Sequence, residues 1–363
     1  MKAVILDQLG GPEQLRISDT AIPDPGPGQV RVRLHASALN HRDVWITLGQ
    51  YPAIRLPCIL GSDGAGVVDR LGPETPVDCL GEEVVIYPAY DWGENPRFPN
   101  PTFRVLGMPD PGTFAEYLCV PASHVFPKPA HLSWEQAAAI PLAGLTAWRA
   151  LMTQGAAQAG ETVLVTGIGG GVATFALKWA VALGTRVFVT SGSDAKLEQA
   201  QRMGAAGGVN YRDSAWARQL AELTGGVDVV VDGAGGPNFP GCFSVLRPGG
   251  RLVVYGATAG NPPTGLEMAR LFFRQARIVG STMGSPAEFA AMLRFVETHQ
   301  IEPALDRVFA LDEAVVAHQR LLAAEQLGKL VLRHGSETAQ SQRRVLRPGF
   351  GSFDHGLKTG LHK

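Results

Sequence analysis

Between residues 161 and 281 short apolar runs alternate with longer stretches of helical period. Strand-like runs fall near 162–166, 186–190, 208–211, 227–231, 251–255 and 277–281, and helical stretches at 172–183, 194–203 and 214–223. Alternation of this kind predicts a parallel sheet covered on both faces. Six such strands make a doubly wound domain, with its ligand across the carboxyl ends of the strands. The sharpest local signal sits at the first strand. Val163 to Val165 leads into Gly167, Gly169, Gly170 and Gly171, and Val172 opens the following helix. Glycines let backbone approach a pyrophosphate, and the helix N-terminus offers it N–H groups and a favourable dipole.

The pattern changes on either side. The first ~130 residues read as mainly β, with Val30, Val32 and Leu34 alternating with Arg31 and Arg33 as in a half-buried strand. Further strands are predicted at 65–68, 83–86 and 115–120. The stretch 87–111, rich in Pro, Gly and Asn, is long for a structureless loop. Ser133 and Gln136 have the spacing of a capping box and predict a helix over 133–139. Residues 141–146 then interrupt, and a second helix passes through Trp148 to Met152. After Gly284 come a helix at 287–299, a strand near Arg307, a helix at 313–324 and a strand at 329–333; these pieces leave the βα rhythm and return to the first domain. The expected division is 1–128 for a β domain, 129–284 for the dinucleotide-binding domain, 285–334 for the return, and 335–363 for a disordered tail.

Composition narrows the function classes. Hydrophobic residues make up 45% and charged residues 18%, with a net charge of −1, which argues against a nucleic-acid or acidic-membrane surface. Cys58, Cys79, Cys119 and Cys242 are scattered without disulfide-like or zinc-like spacing, favouring a reduced setting. The start reads as a strand rather than a signal peptide, and no stretch is long and apolar enough for a convincing membrane helix. A cytoplasmic protein is the expectation.

Six segments in order give the chain a family resemblance: Pro25 to Val30, Ala38 to Asp43, Leu60 to Gly66, Gly144 to Ala147, the glycine turn, and Gly328 to Leu332. Over roughly residues 1–334 the chain resembles the medium-chain dehydrogenases/reductases. This implies a six-stranded Rossmann domain plus a mainly β, GroES-like catalytic domain. The zinc alcohol dehydrogenases of that superfamily carry Cys, His and Cys where this chain has Asn40, Ser62 and Leu142, and Glu where it has Asp63. Zinc takes thiolate, imidazole or carboxylate ligands, which Asn, Ser and Leu do not supply. Residues 88–111, where a four-cysteine structural zinc lobe would lie, contain no Cys. No metal is expected.

The chain is more similar to two metal-free branches. Zinc-independent, NADPH-dependent quinone oxidoreductases carry Asn-x-x-Asp, an aromatic residue two positions on, and Gly-x-Tyr-Pro. The matches are Asn40, Asp43, Trp45, Gly49, Tyr51 and Pro52. The 2-enoyl thioester reductases share most of these elements. A zinc-type alcohol dehydrogenase with substituted ligands and a non-catalytic NADPH-binding protein would also carry this pattern. For transfer of hydride to a quinone or enone, hydrogen-bond donors can hold the charge developing on a delocalised oxygen. Asn40 and Tyr51 are the candidate donors, Trp45 a flat wall for a ring, and Asp43 an orienting carboxylate. His41 is more often a packed residue than a proton carrier. Cys58 reads as a small buried hydrophobe.

The second strand ends at Thr190 and Ser191 without the acid that NAD-specific folds use on the ribose. Asp194 instead begins the next helix. The resemblance assigns Lys196 and Tyr211 to a 2′-phosphate, and so implies NADPH. Cofactor contacts are expected from Thr146, Gly167, Gly169, Gly170, Gly171, Val172, Ser191, Lys196, Tyr211, Gly256 and Lys329. The same resemblance implies a homodimer paired through the sixth strand.

Overall fold

The structure, a computed structural model, describes residues 1–263 and 265–335. Of the tail expected over 335–363, all but Gly335 lies outside the described residues. In the dinucleotide-binding region six parallel strands lie in the spatial order Gly207–Asn210, Arg186–Ser191, Thr162–Val165, Val227–Asp232, Leu246–Val254, Arg277–Gly280. Thr162–Val165 and Val229 to Val231 are buried along their length, as expected for central strands with helices on both faces. The strand order reverses between Thr162–Val165 and Val227–Asp232, and the crevice at their carboxyl ends opens there. Helices Gly171–Ala182, Asp194–Arg202 and Trp216–Thr224 match the predicted stretches within a few residues. Gly225, at φ +69°, ends the last in the left-handed conformation that glycine adopts without strain.

A second large sheet has seven strands. Its path runs Val125–Pro127, Glu83–Ile86, Asp63–Leu71, Gln29–Ala38, Lys329–Arg333, Leu305–Ala310. One edge of Gln29–Ala38 pairs with Tyr117–Pro121 over its first half and with Lys329–Arg333 over its second. The alternation at 30–34 does what its period demands: Val30, Val32 and Leu34 enter one apolar cluster with Val68, Ile86 and Val120. The C-terminal strand thus lies beside the strand that leads into Asn40.

Helix Trp134–Ala139 has the predicted capping box, with Gln136 N–H donating to Ser133 Oγ at 3.2 Å and Ser133 N–H to Gln136 Oε1 at 2.9 Å. The predicted interruption at 141–146 is corrected. Pro141 is the first residue of a helix, Pro141–Trp148, which continues into π-helical turns over Arg149–Gln154. Proline breaks a helix interior but suits its first turn, where its missing N–H has no intrahelical partner. Residues 87–111 contain one short ladder, Ala89–Tyr90 on Arg104–Val105. No described helix is long and apolar enough to cross a membrane.

Candidate active site

The glycine turn sits at the mouth of a cleft of about 870 Å3. Gly167 adopts φ +62° and donates its N–H to Thr190 Oγ1 at 3.1 Å, tying the turn to the neighbouring strand. The first helical bond runs from Thr174 N–H to Gly170 O, so the N–H groups of Gly171, Val172 and Ala173 precede the intrahelical ladder. Together with the helix dipole they make an anion site. A Cβ on Gly171 would lie 2.6 Å from Lys329 Cδ, so only glycine lets that buried stem pass.

Ser191, Gly192, Ser193, Lys196, Tyr211 and Arg212 line one end of the cleft. They converge closely: a Cβ on Gly192 would meet Tyr211 Oη at 2.8 Å and Arg212 Nε at 3.0 Å. Burial lowers the Lys196 pKa, against the pull of Asp306. Asp194 stands in the first turn of its helix and accepts from Asn210 Nδ2 at 2.8 Å. At the floor of the cleft Asp232 accepts from Thr166 Oγ1 at 2.6 Å and from the N–H groups of Ala234 and Gly235.

Behind the turn is a buried polar network. Lys329, 2% exposed, donates to Leu39 O at 2.7 Å, Asn40 Oδ1 at 2.8 Å and Asp63 Oδ2 at 2.8 Å. Asp63 also accepts from Asn40 Nδ2 at 2.9 Å and, through Oδ1, from the Leu142 N–H at 2.7 Å. All three ammonium hydrogens are thereby used. The Lys329 amine is thus saturated by the protein, and what lies against the turn is its stem. Ser62 Oγ donates to Leu106 O at 2.7 Å and accepts from Arg42 Nη1 at 3.0 Å. The positions that hold zinc ligands in the metal-dependent enzymes are thus filled by an internally satisfied Asn, Ser and Leu, and these residues do not fit the metal. Among the described residues no group of three or more His, Cys, Asp or Glu has a metal-binding arrangement.

Of the expected site residues, Trp45, Gly167, Gly169, Gly170, Gly171, Val172, Ser191, Lys196 and Tyr211 line the cleft. Asn40, Asp43, Tyr51, Thr146, Gly256 and Lys329 are not among its lining. Tyr51 stacks on the Arg42 guanidinium, 5.0 Å from its ring centre, with its hydroxyl 3.5 Å from Arg42 Nε. Asn40 turns its amide onto Asp63 and Lys329. Asp43 caps helix His41–Thr47 by accepting the Asn40 N–H at 2.8 Å; burial pushes its carboxyl up to about 6, against the Arg42 charge. Thr146 Oγ1 donates back to Leu142 O at 2.8 Å. Gly256 faces Gly233 O, 3.0 Å from where its Cβ would be. Cys58 is buried and its thiol is pushed up to about 11 by burial, as an inert core group should be.

Two residues of this segment, His41 and Arg42, are not among the expected site residues. His41 lines the cleft beside Trp45, at a ring-centre distance of 6.0 Å, and faces Gly170. Burial, and then the Lys329 charge, lower its pKa, favouring the neutral imidazole. Arg42 holds the carbonyls of Leu106 and Met108. A single His or Arg inside Asn-x-x-Asp carries no spacing signal that would mark it.

Residues 26–130 match the model of the alcohol dehydrogenase GroES-like domain, and residues 171–298 that of the zinc-binding dehydrogenases. The zinc-type alcohol dehydrogenase-like protein YogA of Leptosphaeria maculans is 37% identical, over 88% of this chain and 94% of its own. The chain belongs to the medium-chain dehydrogenase/reductase family. A quinone oxidoreductase of Pseudomonas aeruginosa is 33% identical over 91% of this chain and 99% of its own. Among solved structures, an NAD-dependent alcohol dehydrogenase superposes with a TM-score of 0.87 at 42% identity, over 92% of this chain and all of that one. A crotonyl-CoA carboxylase/reductase in complex with NADP gives 0.85 at 26% identity, over 92% and 94%. The protein is accordingly an oxidoreductase of a family that works with nicotinamide cofactors.

Proposed function

We propose that the protein is a zinc-independent reductase that passes hydride from NADPH to a quinone or an activated enone. The observation that carries this reading is the Lys329–Asp63–Asn40 network, in which a buried ammonium bonds the side chains at two of the positions that hold zinc ligands in the zinc enzymes. NADPH supplies the hydride. The glycine turn and the first turn of helix Gly171–Ala182 receive its diphosphate, and Lys196, Tyr211 and Arg212 receive a 2′-phosphate. Trp45 is the wall on which a flat acceptor stacks. Neutral His41 is the donor facing the cleft, placed to hold the oxygen that gains charge. The similarity to crotonyl-CoA reductases supports a second reading, reduction of a 2-enoyl thioester.

Purified protein assayed with NADPH and NADH against naphthoquinone, a simple enone and a crotonyl thioester separates these. Absence of turnover with both quinone and enone would sink the first reading; stoichiometric zinc in the purified protein would sink its metal-free basis. His41→Phe is expected to lower turnover about a hundredfold or more, the range of a lost oxyanion donor or proton carrier. Tyr51→Phe is expected to leave it within about twofold, because a hydroxyl outside the cleft contributes no transition-state contact. The reverse ranking would restore Tyr51 as the donor. Lys196→Ala is expected to weaken NADPH binding and spare NADH.

The proposal includes a homodimer. Arg277–Gly280 is the edge strand, and Ile278 on it and Met268, Phe272 and Phe273 beside it are exposed, a concentration of apolar surface on an unpaired edge. Sedimentation should give a dimer that Phe273→Asp shifts toward monomer; a monomeric wild type would remove this part.

A further inference from the structure

Helix His41–Thr47 carries both side chains that the proposed reaction places against the acceptor, and it has only seven residues. A helix this short is marginal in isolation, so tertiary contacts set where it lies. Its two ends are tied through the backbone. Asp43 Oδ2 accepts the Asn40 N–H at 2.8 Å, and the Thr47 carbonyl accepts the N–H groups of Gly10 and Gly11 at 2.9 and 3.0 Å. Rotation about the helix axis decides where His41 and Trp45 point, since residues four apart share one face and move together.

Arg42 is the polar side chain that acts between the two ties. It follows His41 on the first turn, is 6% exposed, and is not among the residues lining the cleft. Its Nη1 donates to Leu106 O at 2.8 Å and to Ser62 Oγ at 3.0 Å, and its Nη2 to Met108 O at 3.4 Å. The Tyr51 ring stacks on the guanidinium, 5.0 Å away, and Asp43 Oδ1 lies 3.9 Å from Nη1. Ser62 Oγ itself donates to Leu106 O at 2.7 Å, so the acceptors are held to one another as well as to Arg42. An apolar side chain would fill this space without the cost of burying a cation. A guanidinium adds direction: its rigid planar fork meets fixed acceptors in one orientation, and a stacked ring holds the plane. We infer that Arg42 is a positioning residue of the reaction. It fastens the helix to Ser62 and to the segment 106–108, and so holds His41 at the oxygen that gains charge and Trp45 against the acceptor. The inference rests on the reading of His41 as the donor and Trp45 as the wall. A misplacement of about 1 Å in such a group can cost about a hundredfold in rate.

Turnover of naphthoquinone at saturating NADPH by wild type, Arg42→Lys, His41→Phe and the double variant tests it, with NADPH affinity measured on each by calorimetry. Lysine keeps the charge and a similar stem, but its ammonium has no planar fork. Arg42→Lys is expected to lower kcat about tenfold, a partial misplacement. It should leave the NADPH Kd within about twofold, because the side chain lies outside the cleft. The double variant separates positioning from general loosening. With His41 gone most of what Arg42 positions is gone, so Arg42→Lys with His41→Phe should turn over within about threefold of His41→Phe alone. A merely structural arginine gives additive losses, and the full tenfold on top of His41→Phe would overturn the assignment. So would an Arg42→Lys protein that turns over like wild type. Should Arg42→Lys fold poorly, Ser62→Ala removes one acceptor of the fork and decides by the same criterion, with a loss of about threefold that disappears in the His41→Phe background. If His41→Phe turns over like wild type, or wild type reduces no acceptor, the reading of His41 falls and this assignment with it. Additive losses remove Arg42 alone, and the two failures are thereby distinct.

Discussion

A lysine ammonium loses its hydration on burial and must recover it from fixed acceptors, or give up its proton. Lys329 recovers it from Leu39 O, Asn40 Oδ1 and Asp63 Oδ2. The arrangement joins the strand Lys329–Arg333 to the start of helix His41–Thr47 and, through the Leu142 N–H on Asp63, to helix Pro141–Trp148. Removing one partner strands the other: Lys329→Met should cost about 3–5 kcal/mol, the range for a buried pair broken on one side. Urea unfolding checks this, and Lys329→Met with Asp63→Asn should cost less than the sum of the two single changes. Additive losses would mean the pair is not coupled. Gly171→Ala attacks the same network from the cofactor side, because the added methyl meets a stem pinned at its far end. At this scale the sequence was partly legible. Gly167 to Gly171 declare themselves by spacing, since only backbone without Cβ makes that turn. Lys329, Asn40 and Asp63 lie up to 289 positions apart, and nothing in the local pattern of any of them says that they meet.

The elements that were readable are those whose burial is periodic. The six strands of the dinucleotide-binding sheet and the helices between them follow from runs and periods that tertiary packing reinforces. The helix starting at Pro141 was misread because proline as a first residue and proline as a breaker look alike until the chain direction before it is known. The segment 87–111 had no period to read. It is organised instead by Arg149, 2% exposed, whose guanidinium donates to Pro96 O at 3.1 Å, Arg97 O at 2.6 Å and Glu288 at 2.7 and 2.8 Å, and lies 4.8 Å from the Trp92 ring centre. Glu288 in turn closes the capping box of helix Pro286–Thr298. A buried arginine thus holds the lobe that has no cysteines. Arg149→Met should cost about 3–5 kcal/mol by leaving Glu288 unpaired. It should also raise amide exchange across 92–100 well before global unfolding. Exchange unchanged there would show the lobe to be held by other contacts.

Acid stability belongs to the whole molecule, because the groups that set it are spread over the catalytic domain and its C-terminal return. His318 donates from Nδ1 to Ala314 O on its own helix and packs edge-on against Phe114; His334 meets Ser37 Oγ at 2.8 Å; His124 sits between Tyr87 and Tyr90. Burial pulls their pKa values down to about 4, about 3 and about 4. Unfolded histidine titrates near 6.5. Between about 6.5 and 4 the unfolded chain therefore binds protons that the folded chain refuses, so stability falls as pH falls through that window. Asp43 opposes this. Its carboxyl, raised to about 6, keeps a proton in the fold that the unfolded chain releases above about 4, so its contribution improves on acidification over the same range. Three histidines against one carboxyl leave a net loss, and urea unfolding should give a lower free energy at pH 4.5 than at pH 7. His318→Gln should shallow that slope and Asp43→Asn should steepen it. A stability that is flat from pH 7 to 4.5 would mean that these histidines accept protons in the folded state, and that the interior admits water where the packing excludes it.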